Sequence, residues 1–444
     1  MTINDRENGK ASRQLLTLPA NRAFLWAGGF LVVLLLFLQA GPTLGVHNDF
    51  TQNVWMPSRM LLNGANPYQP TEGEVSQALG EYTSEFSSFN GGSSYFSIYP
   101  IWVAILFLPL GAMPLIFATA VWRAANLLLM VWAVGSILRS SNPAFRTGKQ
   151  AAAAVTMLVA ICIVFRQSIN TLVGGQFAII ELGLLAAVWG WLISSAGKAR
   201  QLTLTGDILA GVALALLATK PQSSGLAVAL VGLWALIRRR YAIPASAAVI
   251  FLLLLGLPSL IYPHSVPEWT AIVFGGQAGS QAEVSASVWG VNYALLGATS
   301  FWRWAALAMS AVGLLLLLPF WRDDLKGKAS PVPLALPVTL CVNSIISPYL
   351  LGYEQVLLLF PAVVMVAGIG IASDGAGSLA RARLRAALFV WIGLLPLVLV
   401  PIQMLMKAEY PLVVQSATML VMCLLVRFNW IDNAKGAQQV ALPV

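Results

Sequence analysis

Residues 222–262 read QSSGLAVALVGLWALIRRRYAIPASAAVIFLLLLGLPSLIY. Two apolar runs, 222–237 and 242–262, flank Arg238-Arg239-Arg240. Each run approaches the ~20 residues that an α-helix needs to cross a bilayer. Three arginines between two such runs read as a turn on the cytoplasmic side of a membrane. This hairpin sets the fold class: an all-α, polytopic membrane protein.

Working outward, apolar runs occupy about 23–41, 115–138, 150–166, 176–194, 207–219, 302–320, 331–347, 350–372, 386–402 and 411–428, making twelve candidate spans in all. A further run, 99–112, contains Pro100 and Pro109 and stops at Pro114, so it is short and broken for a span. Composition agrees: 58% of the 444 residues are hydrophobic, 10% are charged, and the mean hydropathy is +0.78. A soluble domain carries about a quarter charged residues.

Charge fixes the expected orientation. With 99–112 kept as a re-entrant or interfacial segment, twenty of the 26 basic residues fall on the same side as the N-terminus. The exceptions are Arg59, Arg123, Arg166, Lys220, Arg303 and Lys407. Both termini are then cytoplasmic. The domain organisation is a tail at 1–22, one membrane domain at 23–428 and a tail at 429–444, with long outer loops at 42–98 and 263–301. Short amphipathic helices are expected at Phe50–Asn63 and within Glu72–Phe89 of the first outer loop, with Asn90–Ser94 as a flexible link. The net charge of +9 follows orientation rather than one basic face, so nucleic acid is not a partner. Cys162, Cys341 and Cys423 lie inside apolar runs and have no metal or disulfide spacing. No Walker loop, zinc motif or nucleophile elbow is present, so neither a cofactor nor a metal is expected.

The informative polar residues lie at the expected outer edge. Asp49 follows the first span in Val46-His47-Asn48-Asp49-Phe50. A partly desolvated carboxylate there suits a general base. It equally suits the N-cap of the helix that follows. Gly64 in Asn63-Gly64-Ala65-Asn66-Pro67-Tyr68 fits a helix C-cap, and Pro67 stops the chain from continuing as helix. Tyr99-Pro100 opens the re-entrant segment. Gln176, after Gly174-Gly175, offers both donor and acceptor, although the motif also reads as a plain turn. Lys220, with Gln222 close by, separates two short apolar runs. A cation at that depth needs a partner, a phosphate or snorkelling to headgroups. His264 opens the second outer loop. Tyr349 and Glu354 lie between the ninth and tenth runs, where Glu354 reads either as a helix-start acid or as a partner of Lys220. Arg59 and Arg123 are further candidate phosphate contacts.

Taken in order, these motifs form a set: Asp49-Phe50, the 64–68 turn, Tyr99-Pro100 before Leu108-Pro109-Leu110, Gly175-Gln176, Leu209-Ala210-Gly211-Val212-Ala213-Leu214, Thr219-Lys220-Pro221-Gln222, Ser347-Pro348-Tyr349, and Tyr353-Glu354-Gln355. Over roughly residues 45–370 the chain resembles glycosyltransferase family 87, the polyprenyl-phosphate-mannose-dependent α-mannosyltransferases of the GT-C superfamily. The resemblance implies a GT-C-like fold in the cell membrane and a polyprenyl-phosphate-linked hexose as donor. It implies a lipid or glycan acceptor among membrane lipids, and inverting transfer on the outer face with Asp49 as general base. Lys220, Arg59 and Arg123 would then meet the donor phosphate. Tyr68, Tyr99, Gln176, Gln222, His264, Tyr349 and Glu354 would line the substrate site. The alternative is a secondary transporter of a small solute or lipid-linked intermediate, for which the break at Lys220-Pro221 and the buried Glu181 speak.

Overall fold

The computed structural model describes residues 20–44, 48–80, 98–146, 149–196, 204–272, 282–299, 301–326, 334–369, 387–388, 390–406 and 409–440. Every regular element among them is helical. In chain order these are α1 (Ala20–Leu44), a π-helical turn (Thr51–Trp55) running into α2 (Met56–Leu62), α3 (Glu72–Leu79), α4 (Ile101–Leu106), α5 (Leu108–Gly111), α6 (Leu115–Ser141), α7 (Lys149–Val164), α8 (Arg166–Val173) and α9 (Ala178–Ala196). Next come α10 (Leu204–Leu217), α11 (Pro221–Ile237), α12 (Ala242–Ile261), α13 (Ser265–Ile272), α14 (Val288–Leu296), α15 (Phe301–Leu325) and α16 (Ala335–Ile346). A 3-10 segment (Gly352–Leu358) leads into α17 (Leu359–Ile369), a π-helical turn (Val390–Leu394) into α18 (Leu395–Met406), and a 3-10 turn (Tyr410–Leu412) into α19 (Val413–Val440).

Three of these, α6, α12 and α15, are long and apolar enough to cross a membrane unaided. A fourth span is available if α7 and α8 count as one, although they meet at a 64° bend. Several of the remaining apolar runs form shorter helices, including α10, α11 and α16. The membrane class therefore stands; length and composition among the described residues mark three or four spans and do not by themselves give the expected twelve.

The expected run at 150–166 is where sequence and structure diverge most. The helix ends at Val164, Phe165 adopts an extended ψ of 125°, and the chain restarts as α8 in a new direction. The 350–372 run also departs from a plain helix, because its first turn is 3-10 and the α-helix begins only at Leu359. The 99–112 segment divides at Phe107 into α4 and α5. At ~1.5 Å rise per residue, neither can cross ~30 Å of hydrocarbon. The predicted helix over 50–63 is present, with a π-helical first half. The predicted helix after Glu72 is α3, fixed by a capping box in which Thr71 and Glu74 satisfy each other's backbone N–H groups. Glu81–Phe89 and the Asn90–Ser94 link lie outside the described residues, as do the cysteine-free tail before residue 20 and His47. The helix α19 continues to Val440, through most of the segment read as a C-terminal tail.

Two larger hydrophobic cores form among the described residues. The larger core joins α6, α9, α16, α17 and α19, with Trp189 edge-on to Phe360 at 5.3 Å and Phe165 stacked on Trp391 at 5.3 Å. The second core roots the first long loop on the helix ends. Phe50 stacks on Trp122 at 4.9 Å, and Phe107 meets Trp122 edge-on at 5.2 Å. Gly211 explains the Leu-Ala-Gly-Val-Ala-Leu motif. A Cβ there would lie 2.4 Å from the Ile243 carbonyl and 2.9 Å from the Ala247 amide of α12. Small residues allow this close approach of α10 and α12, which lipid cannot drive hydrophobically.

Gly211→Leu is expected to force α10 and α12 apart and cost about 1–3 kcal/mol. Thermal unfolding in detergent micelles, followed by tryptophan fluorescence, checks this as a clear drop in midpoint.

Candidate functional site

The site forms where the first loop meets the ends of α8, α9, α10 and α11. Its backbone anchor is the Asp49 N–H, which donates to the Gly174 carbonyl at 2.9 Å. Gly175 makes that approach possible. Its φ is +67°, and a Cβ would meet the Phe50 Cβ at 2.6 Å and the Asn48 Oδ1 at 2.8 Å. Trp122 Nε1 then donates to the Gly175 carbonyl at 3.0 Å. The Gly174-Gly175 pair is thus a turn, and specifically the turn that seats Asp49.

Two readings of Asp49 were open, and the geometry separates them. The cap is Asn48: its Oδ1 accepts from the Thr51 N–H at 3.0 Å and from the Thr51 hydroxyl at 3.2 Å. The carboxylate of Asp49 instead accepts from side chains, Asn53 Nδ2 on Oδ1 at 2.7 Å and the Tyr99 hydroxyl on Oδ2 at 2.9 Å. Asn53 lies four residues on, on the same helical face. It also accepts from the Ile98 N–H at 3.1 Å, so it ties Asp49 to the segment that carries Tyr99. Burial pushes the Asp49 carboxyl above its ordinary value. The Lys220 ammonium pulls it back down, as do the hydrogen bonds from Tyr99 and Asn53. Burial and then the Asp49 charge push the Tyr99 phenol well above its ordinary value, so it stays a proton donor. The Tyr68 hydroxyl donates to the Tyr99 carbonyl at 3.0 Å and steadies that segment from below.

Lys220 follows α10 and precedes Pro221 at the start of α11, and it is 2% exposed. Its ammonium pairs with Glu354 at 2.9 Å, and Gln176 Oε1 accepts from it at 3.5 Å. The rings of Tyr353 and Tyr99 lie 4.9 and 5.9 Å from the same nitrogen. Glu354 fills both roles open to it, since its second oxygen accepts from the Leu351 N–H at 2.9 Å. Removing one partner of a buried pair leaves an uncompensated charge, which costs about 3–5 kcal/mol. Glu181, fully buried in the first turn of α9, accepts from the hydroxyls of Ser223 at 2.6 Å and Ser224 at 3.0 Å. It therefore belongs to this helix-end cluster. Asn343 Nδ2 completes the α11 start by donating to the carbonyls of Gln222 at 3.0 Å and Ser223 at 2.8 Å.

The other sequence candidates separate into three groups. Tyr349 lies near the cluster, its phenol pushed up to about 12 by burial and then by the Glu354 charge. Gln222 enters through its backbone carbonyl. Arg59 and Arg123 engage the scaffold: Arg59 donates to the Gly111 carbonyl at 3.2 Å and sits 5.3 Å over Trp55, and Arg123 donates to the Val173 carbonyl at 3.0 Å. His264 is exposed just before α13. That helix leans on the first loop through Trp269 Nε1, which donates to the Ile98 carbonyl at 3.1 Å, and through Glu268, which accepts from Asn66 at 3.2 Å. A shallow crevice opens between α4, α12, α13 and the first loop, lined by Leu254, Leu255, Trp269, Tyr68 and Trp102. Sequence reasoning missed Asn53 and Glu409. Spacing of four residues from Asp49 was the available signal for Asn53. Nothing local marks Glu409, whose partner lies 57 residues away.

Asn48→Ala is expected to cost about 1 kcal/mol as a lost cap, whereas Asn48→Ser keeps a capping oxygen and costs only a few tenths. Thermal midpoints of the two variants, measured side by side, check the assignment of the cap.

The match to known families covers much of this geometry. Residues 97–348, more than half of the chain, match the model of Glycosyltransferase family 87. No curated protein and no solved structure matches significantly. The matched stretch carries Tyr99, Gln176, Glu181 and Lys220, whereas Asp49 precedes it and Glu354 follows it. On this match the chain belongs to glycosyltransferase family 87 and is a membrane glycosyltransferase.

Proposed function

We propose that the chain transfers a hexose, mannose by family resemblance, from a polyprenyl-phosphate donor to a lipid or glycan acceptor. Transfer takes place at the outer face of the cell membrane. The observation that carries the reading is the Asp49 carboxylate. It is free of capping duty, aimed by Asn53 and Tyr99, and seated beside the buried Lys220 charge. A base placed in this way needs only an acceptor hydroxyl in reach.

In this reading Asp49 takes the proton of that hydroxyl as its oxygen attacks the anomeric carbon. The bond from that carbon to the phosphate oxygen breaks, and the polyprenyl phosphate leaves with the electron pair. One displacement inverts the anomeric centre. Lys220 contributes electrostatically, favouring the ionised form of Asp49 and countering negative charge as the phosphate departs. A donor phosphate competes with Glu354 for the ammonium, because the two are already paired. Tyr99 holds the carboxylate, and Tyr349 and Gln176 lie where a sugar would be lined. The first loop and the helix ends around it form the outer side of one membrane domain, with both termini cytoplasmic.

The test uses proteoliposomes, a radiolabelled polyprenyl-phosphate hexose and an envelope-lipid extract. Wild type transfers label, and Asp49→Asn loses about 10²–10⁴-fold, the usual contribution of a general base. Equal transfer by both proteins would contradict the role of Asp49. Tyr99→Phe removes a hydrogen bond that favours the carboxylate. Asp49 is active when ionised, so activity falls as pH drops through its pKa. In Tyr99→Phe that acidic limb moves to higher pH, read from the pH profile of kcat/KM.

A further inference from the structure

The 3-10 segment that presents Glu354 to Lys220 is held from outside by a carboxylate far along the chain. Glu409 Oε2 accepts from the Gly352 N–H at 2.5 Å. The adjacent N–H, of Leu351, is taken by Glu354 itself. Two successive backbone donors are therefore held by two carboxylates, one inside the site and one behind it. Gly352 is packed for this arrangement, because a Cβ there would lie 2.4 Å from the Leu412 Cδ1 and 3.5 Å from Glu409 Oε2. Gln355 Nε2 donates to the Leu412 carbonyl at 2.8 Å and locks the same segment to the start of α19.

A single short helix links this support to Asp49. α8 begins with Arg166, which donates to Gln403 at 3.0 Å and whose charge acts on Glu409. In its last turn, the Thr171 hydroxyl is shared between the Gln167 carbonyl of its own helix at 2.6 Å and the Tyr353 carbonyl at 2.9 Å. At its end, the Gly174 carbonyl accepts from the Asp49 N–H. Eight residues of helix span roughly 12 Å, so α8 is a short strut between the two halves of the site.

We propose that Glu409 is a positioning residue for sugar transfer. It acts through the Gly352 N–H to hold Glu354 on Lys220, and the α8 strut keeps that pair in register with Asp49. The proposal rests on the transferase reading above and extends it to a segment beyond the matched residues 97–348. In this proposal Glu409 acts through the Gly352 segment rather than on substrate. Its acceptor oxygen matters more than its charge, so an amide in its place serves nearly as well.

Two readouts test it. The first needs no substrate: hydrogen exchange of the 350–356 peptide in detergent-solubilised full-length protein. Glu409→Ala is expected to deprotect this peptide selectively, while Glu409→Gln keeps it protected. The second is transfer in proteoliposomes. Glu409→Ala loses about tenfold or more in kcat/KM, the scale of one buried hydrogen bond, and Glu409→Gln stays within about threefold. In a Glu354→Gln background, Glu409→Ala adds little, because the two act as one unit. Should Glu409→Ala fail to fold, Gly352→Ala probes the same hold, since its Cβ pushes the segment off Leu412 and reproduces both losses. A protected peptide in Glu409→Ala, or losses that add fully to those of Glu354→Gln, overturns the proposal. Absence of transfer by wild type on any donor defeats the transferase reading instead, and the exchange result still decides whether Glu409 holds the segment.

Discussion

The site depends on one buried ammonium. Lys220 is 2% exposed, and Glu354 is ion-paired to it at 2.9 Å; the charges of Asp49 and Glu181 also act on it. A lone cation at such a depth is expensive, and so is each carboxylate. Together they offset one another, and each comes from a different segment: the first loop, the start of α9, the α10–α11 junction and the 3-10 segment before α17. Convergence of these four segments is therefore a condition of burying any one of their charges. The tight glycine contacts serve the same end. Gly175 lets the first loop sit on the start of α9, and Gly352 lets the Glu354 segment sit against Leu412.

This constraint accounts for the local details around Asp49. Capping the π-helical turn falls to Asn48, which leaves both oxygens of Asp49 to side-chain donors. Asn53 is tied to the residue before Tyr99 by accepting from the Ile98 amide, and the Tyr68 hydroxyl holds the Tyr99 carbonyl. The carboxylate is thereby held in one orientation at a position where burial raises its proton affinity and Lys220 limits the rise. A group balanced in this way can take a proton and release it again, as a base in a transfer reaction must. The tyrosine phenol stays protonated and so remains a donor throughout. Family membership and this balance point the same way, although they rest on different residues: the matched stretch begins at 97, after Asp49.

Much of the fold class was legible in the sequence, and the reasons are physical. Arg238-Arg239-Arg240 between two apolar runs gave the hairpin of α11 and α12, and Pro109 with Pro114 marked 99–112 as unable to cross. The 64° bend at Phe165 was not legible, because no proline or glycine punctuates the run and the break follows tertiary packing of Phe165 on Trp391. The irregular start before α17 was hidden for a similar reason: the partners of Gly352–Leu358 include residues far along the chain, Thr171 at the Tyr353 carbonyl, Glu409 at the Gly352 N–H and the Leu412 carbonyl at Gln355. In the site, ordered motifs identified Asp49, Tyr99, Gln176, Lys220 and Glu354, and the structure brings these together. Arg59 and Arg123 shared their charge but hold backbone carbonyls of the scaffold. Glu409 stayed invisible, because a backbone N–H as partner leaves no trace in side-chain pattern.

The central proposal is that Asp49 acts as the base and that the Lys220 charge favours its ionised form against the effect of burial. The most direct measurement is the pH profile of kcat/KM for sugar transfer in wild type and in the paired variant Lys220→Met, Glu354→Gln, which removes both charges together and leaves neither buried alone. The account predicts that the acidic limb moves to higher pH in the variant, because Asp49 loses the cation that favours its carboxylate. An acidic limb that stays in place, with only the KM for the lipid-linked donor raised, would contradict it and make Lys220 a donor contact alone.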